Sequence, residues 1–437
     1  MFSNKRQALA GLLILAMVLI TTLNGLFQFS LPFDPTWIAG VASWLAAFLL
    51  VGNASRILQV QVGILIVIGL ILIFYAAEQG AEINMLGVIS SNSGLLSMIA
   101  AVGFLRLVAM PDESEDDRLP IGRRSYLHTL LGLNVLSSII NISAPMLIAD
   151  RIHRQKPLQR FTAQSITRVF CGCSSWSPFF GAMAVVLTYV SQAQLIWIVI
   201  AGLPFTIMGL LLVYSEARIR YPREVDNFVG YPMHLSSLRV PLILVTIVVP
   251  GFWLLPETPV LVVIGSSALV VTTLGLLVRN HASVMRKLGD YVVNGLPRMV
   301  NELTLFLAAG VLAAGMSAMI DNGVLVAPMT TFDATTATQL LGFILICAII
   351  GIHPVILISS LTPLILTLDP NPNLLAVTYL FGWNLGTCAS PLSGTNLVFQ
   401  GRYDIPSWKA AIWSWPYVIS MFLLAAIWLQ VVGSLFP

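Results

Sequence analysis

Cys171-Gly-Cys-Ser-Ser-Trp-Ser-Pro-Phe-Phe-Gly181 lies in the middle of one long apolar run, and Gly386-Thr-Cys-Ala-Ser-Pro-Leu-Ser-Gly-Thr-Asn396 lies in the middle of another. Each contains a Ser-Pro pair with a glycine three residues after the proline: Ser177-Pro178 with Gly181, and Ser390-Pro391 with Gly394. Proline removes an amide donor and clashes with the preceding helical turn. Glycine adopts torsions closed to other residues. Both stretches therefore read as helices broken near their centres. A break presents half-helix ends, whose free amides attract anions and whose free carbonyls attract cations. A plain proline kink, back-bonded by Ser and Thr, fits either stretch taken alone. Two at corresponding places point to a site.

The rest of the chain supplies the setting. Of its 437 residues, 57% are hydrophobic and 9% are Asp, Glu, Lys or Arg, against roughly a quarter charged in a soluble domain. That balance excludes a nucleic-acid binder, a secreted disulfide scaffold and a disordered chain. No polar stretch is long enough for a soluble enzyme domain. The chain reads as an all-α polytopic membrane protein. Cys171, Cys173, Cys347 and Cys388 all lie in apolar segments, and no His or acidic residue stands at ligand spacing from Cys171-x-Cys173. No metal is expected there. Lys5 and Arg6 precede an apolar run that no small-residue cleavage site follows, so it reads as a retained first span.

Eleven apolar spans are predicted, near 8–28, 36–52, 57–77, 94–110, 166–190, 194–214, 240–256, 259–278, 303–320, 374–400 and 407–434. Two further apolar stretches, 127–150 and 338–365, carry polar residues in their middles. If these two do not cross, all 22 Lys and Arg residues fall in or beside loops of one parity: Lys5 and Arg6, Arg56, Arg106 to Arg124, Arg151 to Arg168, Arg218 to Arg239, Arg279 to Arg298, and Arg402 with Lys409. The loops Leu31 to Pro35, Glu78 to Ser93, Ser191 to Gln194, Pro256 to Pro259, Asp321 to Thr336 and Leu368 to Asn373 have none. The basic side is cytoplasmic by the positive-inside rule. This puts the N-terminus in the cytoplasm and the C-terminus outside, in a cytoplasmic (inner) membrane. The stretch 127–150 then enters and leaves on the cytoplasmic side, and 338–365 on the outer side, as two re-entrant hairpins. Such hairpins need protein or a water-filled cavity over their backbone.

The chain also repeats itself. Ser137 to Ile148 aligns with Cys347 to Ile358, Ser177-Pro178…Gly181 with Ser390-Pro391…Gly394, and Pro204…Leu211-Leu212 with Pro416…Leu423-Leu424, at offsets of 210 to 213. The copies begin after different numbers of crossings and so point in opposite directions. Inverted repeats with paired interrupted helices are the architecture of secondary transporters. The expected organisation is an extra N-terminal helix (1–30), a first repeat (31–214, hairpin about 120–155, broken helix 166–190), a cytoplasmic linker (215–239) and a second repeat (240–437, hairpin about 338–367, broken helix 374–400). The basic stretch Arg279 to Arg298 fits either an amphipathic surface helix or a charged loop.

The candidate site follows. Ser174, Ser175, Ser177, Thr387, Ser390, Ser393, Thr395 and Asn396 line the breaks, and Asn141, Ser143 and His353 cap them from the hairpin tips Asn141-Ile-Ser143 and Gly351-Ile-His353-Pro354. Gly181 and Gly394 are expected to allow close backbone approach. His353 is the one histidine deep in an apolar segment, and either takes up a coupling proton or stays neutral and hydrogen-bonded. Asp150 is expected to pair with the adjacent Arg151. No Lys or Arg is expected at mid-membrane depth, so an anion would depend on helix dipoles and hydroxyls.

Thr387-Cys-Ala-Ser-Pro-Leu-Ser-Gly-Thr-Asn-Leu-Val398 resembles the second broken-helix motif of the ion transporter superfamily. That group contains divalent anion:sodium symporters, arsenite-pump membrane subunits, certain sodium/proton antiporters and the large membrane subunits of tripartite transporters. The resemblance implies substrate held between hairpin tips and broken helices, elevator-like motion against a scaffold, and a homodimer. Sodium-binding members carry Ser-Asn-Thr at the hairpin tips. This chain has Asn141-Ile142-Ser143 and Gly351-Ile352-His353 there, which leaves protons as well as sodium ions open as coupling ions. The expected function is secondary transport of a small solute, an organic or inorganic anion, in a lipid bilayer, without other cofactors and without nucleic acid. A cation/proton antiporter and a partner-driven membrane subunit are the rivals. No paired aspartates, Ser/His pair or His-Glu-x-x-His helix supports an enzyme, and no filter segment supports a channel.

Overall fold

A computed structural model describes residues 2–29, 33–109, 119–231, 239–279 and 283–435. The charged run 112–118, residues 31 and 32 of the first outer loop, and 280–282 of the basic stretch lie outside the described residues. Within them the chain is helical throughout, and the one β pairing is an isolated bridge between Ile121 and Val229.

Eight described helices are long and apolar enough to cross a bilayer: Lys5–Phe27, Thr36–Asn53, Arg56–Glu78, Met85–Ala109, Leu195–Arg220, Val260–Val278, Val284–Asp321 and Ser407–Leu435. The other three predicted spans differ for identifiable reasons. Arg239–Leu254 is a shorter helix containing Pro250. The remaining two are each split into two helices, at the places where the Ser-Pro pairs occur. On Arg56–Glu78 the side chains of Val60, Ile64, Val67, Ile71 and Phe74 are all more than half exposed. A stripe of that kind faces hydrocarbon rather than water.

The chain forms two compact units. The first takes Met1–Val108, Ile243–Thr330 and Ile358–Leu368; the second takes Ala109–Leu242, Thr331–Leu357 and Asp369–Pro437. Each unit thus draws on both halves of the sequence. In the first unit, the Arg56–Glu78 and Val300–Asp321 helices pack along their length, and Asn322 Nδ2 donates to the Ala76 carbonyl (3.0 Å). The basic stretch is not a separate surface helix. Val284–Asp290 runs through a π turn (Tyr291–Gly295) and a 3-10 turn (Leu296–Met299) into Val300–Asp321.

The second unit holds the predicted hairpins and broken helices. The first hairpin is Arg123–Ile140 and Ser143–Gln155; the second is Ala334–Ile349 and Pro354–Leu366, whose residues from Ile358 onward belong to the other unit. The first broken helix is Arg160–Gly172, a 3-10 turn Cys173–Ser175, and Gly181–Tyr189. The second is Pro372–Ala389 and Gly394–Tyr403. Two proline-bearing helices, Leu195–Arg220 with Pro204 and Ser407–Leu435 with Pro416, complete it.

Candidate functional site

The hairpin tips turn by different means. Asn141 ends the first arm with φ +51°, a region asparagine tolerates better than most residues. Its amide donates to Ser137 O (3.1 Å) and its carbonyl accepts from Ala144 N (3.1 Å). At the second tip Gly351 has φ +98°. Ile352 N donates to Cys347 O (2.9 Å) and Gly351 N to Ala348 O (3.0 Å). These are the two bonds of a Schellman motif, which calls for glycine at that place.

His353 then starts the return arm: its Nδ1 accepts from Val355 N (3.2 Å). A nitrogen that accepts carries no proton, so this contact selects the neutral tautomer protonated on Nε2. Its ring meets Trp383 of the second broken helix edge-on, with centroids 5.0 Å apart.

A hairpin tip is seated on each break. Ser177 Oγ donates to Ser138 O (2.5 Å) on the first hairpin and accepts from Phe179 N (3.2 Å) inside its own break. Cys173 and Asn134 exchange two bonds between the same elements. At the second break, Gly351 lies so close that an added Cβ would stand 2.7 Å from Leu392 Cδ1.

Several predicted site hydroxyls are engaged in shaping the breaks. Ser174 Oγ turns back to Cys171 O (2.7 Å). Ser390 Oγ accepts from Leu392 N (3.3 Å), and Ser393 Oγ caps the next half-helix through Asn396 N (3.4 Å). Ser175, Ser177, Thr395 and Asn396 are buried, while Asn141, Ser143, Thr387 and His353 are half-buried. Asn396 Nδ2 donates to Ser390 O (2.9 Å), and a carbonyl can only accept, so the amide orientation is settled. Asn396 Oδ1 is then buried without a partner, as are Ser137 Oγ and Trp176 Nε1. Pro178 and Pro391 lie within the breaks, and Gly181 and Gly394 begin the second half-helices. The close approach expected at Gly394 is absent, since an added Cβ there meets nothing within 4 Å. The position that does require glycine is Gly202 on the Leu195–Arg220 helix, where a Cβ would stand 1.8 Å from Ser175 O.

The broken helices touch each other directly. Asn384 Nδ2 bonds Ser175 Oγ (2.9 Å). Asn384 was not among the predicted site residues. Its apolar neighbours Trp383 and Leu385 disguise it as a stray polar residue in a span.

Two expectations about charge are corrected. The first broken helix begins at Arg160 rather than near 166, so Arg168 stands two turns inside it instead of beside a loop; it is 4% exposed, one turn before Gly172. Its Nη1 donates to Glu216 Oε2 (2.6 Å), its Nη2 to Trp413 O (2.8 Å), and its guanidinium lies 4.9 Å from the Tyr417 ring centroid. Glu216 Oε1 in turn accepts from Arg220 (3.0 Å). The Trp413 carbonyl lies on the turn of Ser407–Leu435 that carries Pro416. Gln164 Nε2 also bonds it (2.6 Å). The triad of two arginines and one glutamate carries a net positive charge toward the first break. The second correction concerns Asp150. It pairs with Arg402 (2.5 Å) and Tyr403 OH (2.7 Å) of the second broken helix, not with Arg151.

No known protein family's profile matches the chain, and no curated protein matches its sequence. Among solved structures it is similar to the YdaH transporter of Alcanivorax borkumensis, described as having an unusual topology. The TM-score is 0.51 and the identity 13%, over 86% of this chain and 99% of that one. At that identity the likeness is one of fold.

Proposed function

We propose that this protein is a secondary active transporter of the ion transporter superfamily type, moving a small organic or inorganic anion across the cytoplasmic membrane by alternating access. The observation that carries this reading is the meeting of two broken helices inside one unit, each with a hairpin tip seated on its break. Half-helix ends brought together in protein are the usual way a membrane fold builds a polar binding site. The transporter fold of the similar structure agrees.

Inverted repeats are supported by the symmetry of the contacts. Ser175 and Asn384 stand two and six residues before Ser177 and Ser390, respectively, and Cys388 and Cys171 stand two and six before Ser390 and Ser177. The repeat carries the bonded positions Ser175 and Asn384 onto Cys388 and Cys171. The proline kinks correspond as well: the Ala201 carbonyl near Pro204 accepts from Trp428 Nε1 (2.8 Å), as the Trp413 carbonyl near Pro416 accepts from Arg168 and Gln164. The assignment of 31–214 and 240–437 as repeats, elevator-like travel of the domain holding the breaks, a homodimer, and a cytoplasmic N-terminus with an outer C-terminus all belong to this reading.

Anion transport is favoured by the net positive Arg168–Glu216–Arg220 triad beside the first break. Asp150 and Glu216, the carboxylates that meet the broken helices, each pair with an arginine. For coupling, sodium is favoured over a proton on His353. Protonation of Nδ1 would remove the bond that starts the return arm, whereas the buried oxygens Asn396 Oδ1 and Ser137 Oγ are hard donors suited to a sodium ion.

The test is thermal unfolding of the purified protein with carboxylates, oxyanions and neutral solutes, each in sodium and in choline, at two pH values. A ligand at a hundredfold its Kd stabilises by about 2.7 kcal/mol. An anion that stabilises in sodium but not in choline is the expected result. Stabilisation by alkali cations or neutral solutes, with every anion inert, overturns it.

A further inference from the structure

Both broken helices, the Leu195–Arg220 helix and the Ser407–Leu435 helix border one narrow interior gap. Arg168, Asn384, Asn134, Thr206 and Tyr417 line it, with Phe205 among its apolar walls. Two of these polar side chains are already engaged. Thr206 Oγ1 bonds Gly172 O (2.9 Å) and Gly202 O (3.1 Å). Asn134 Nδ2 donates to Val169 O (3.2 Å) and to Cys173 Sγ (3.2 Å). Gly209 leaves room for the Tyr417 hydroxyl, which would stand 2.7 Å from an added Cβ. Two other groups are not engaged. Arg168 Nε and Asn384 Oδ1 are buried without a partner among the described residues, in residues 4% and 1% exposed.

These two groups suit one kind of ligand. Glu216 and the Trp413 carbonyl take Nη1 and Nη2 of Arg168, so Nε is the guanidinium nitrogen left without a bond. Ser175 Oγ can donate or accept, so either end of the Asn384 amide can hold it while the other end is left unpaired. Guanidinium N–H groups bind oxyanions. The amide adds a second bond, by donating to another oxygen or by accepting from the O–H of a partly protonated oxyanion. A cation is repelled by Arg168, and an apolar ligand leaves both groups unpaired. We propose that this gap is the closed form of an oxyanion subsite, in which Arg168 Nε and the Asn384 amide hold a carboxylate, bicarbonate or phosphate group of the transported solute. The proposal deepens the anion reading above and rests on it.

The gap is too narrow for a free water molecule as it stands. Two polar groups held unpaired inside protein cost free energy, and an oxyanion entering the gap restores both bonds. Ligand entry and the parting of the helices therefore favour each other. Arg168 belongs to the first broken helix and Asn384 to the second. A ligand held by both thus couples the two breaks. The triad of Arg168, Glu216 and Arg220 is net positive by one charge, which one negative charge on the ligand offsets.

The experiment is nuclear magnetic resonance on the purified full-length protein in detergent micelles, isotopically labelled at arginine Nε. Each arginine gives one Nε–H signal, and that of Arg168 is the one missing from Arg168→Lys. If that variant does not fold, Tyr417→Leu assigns the signal by moving it, since the Tyr417 ring lies 4.9 Å from the guanidinium. Sodium acetate, succinate, bicarbonate, phosphate and sulfate are titrated at constant ionic strength against sodium chloride, and the unfolding temperature is followed in the same solutions. The expected result is one oxyanion that shifts the Arg168 signal saturably and raises the unfolding temperature, with chloride inert. Asn384→Leu should weaken the midpoint about tenfold, the loss of one hydrogen bond. An oxyanion that raises the unfolding temperature and leaves the Arg168 signal unmoved overturns the subsite while the anion reading stands. A shift given equally by chloride overturns oxyanion recognition at this place. No response of either kind to any anion overturns the subsite and the anion reading together.

Discussion

Removing Glu216 and removing Arg168 should not be equivalent, although they are partners in one ion pair. Arg168 is 4% exposed, and its bonded partners are Glu216 and the Trp413 carbonyl, with no second carboxylate. Glu216→Gln leaves that buried guanidinium without its counter-charge. Breaking a buried pair from one side costs about 3–5 kcal/mol. Glu216 retains some exposure, and Gln keeps one acceptor, so about 3 kcal/mol is expected, roughly a 150-fold shift in the folding equilibrium. Arg168→Met, in contrast, leaves Glu216 still paired with Arg220 at 3.0 Å near the surface. The Trp413 carbonyl also keeps its bond from Gln164. Its cost should be smaller, about 1–2 kcal/mol. The double variant Arg168→Met/Glu216→Met replaces the pair by packed apolar groups and should recover most of the loss. Equilibrium unfolding in mixed detergent micelles gives all three values. The reasoning fails if Glu216→Gln lies within about 0.5 kcal/mol of wild type, or if Arg168→Met is the more damaging change.

Other outcomes follow from single contacts. Gly202→Ala places a Cβ 1.8 Å from the Ser175 carbonyl oxygen. The first break must then shift, and loss of monodisperse protein or of ligand stabilisation is expected; a variant with wild-type unfolding temperature and binding refutes that close approach. The Asp226 carboxyl is held below its ordinary range, chiefly by the hydrogen bond from Arg123. Because the folded value is depressed, the stabilisation is present above the unfolded value, about 3.9, and is lost as pH falls through the folded one. Unfolding temperature measured from about pH 5 downward should fall less steeply in Asp226→Asn than in wild type. His353→Asn keeps a side-chain acceptor able to start the return arm. Transport and its pH profile should persist in that variant, and a pH profile abolished by it would show that His353 carries the coupling proton after all.

Much of the helix pattern was readable because it is local. The breaks come from Ser177-Pro178…Gly181 and Ser390-Pro391…Gly394, whose missing amides act within one turn wherever the helix is placed. The hairpin tips at Asn141 and Gly351 were likewise marked by residues suited to positive φ. Arg168 was set beside a loop because the polar residues before it moved the expected helix start to 166, whereas the helix begins at Arg160. The burial of Arg168 depends on Glu216, 48 residues later, and on the Trp413 carbonyl, 245 residues later. Asp150 was matched to its chain neighbour Arg151, whereas its partners Arg402 and Tyr403 come from the other half of the chain.

The sequence by itself determined the solvent, the helices and their interruptions, since hydropathy, proline and glycine act over a few residues. Only the tertiary structure decided which interruptions meet. Asn384 looks like any polar residue in an apolar run until the meeting of the broken helices places it on Ser175. Gly202 becomes obligatory only when another backbone arrives within a Cβ radius. Contacts between residues some two hundred positions apart are set by packing and by the pairing of buried polar groups, and neither is written in the neighbourhood of a single residue.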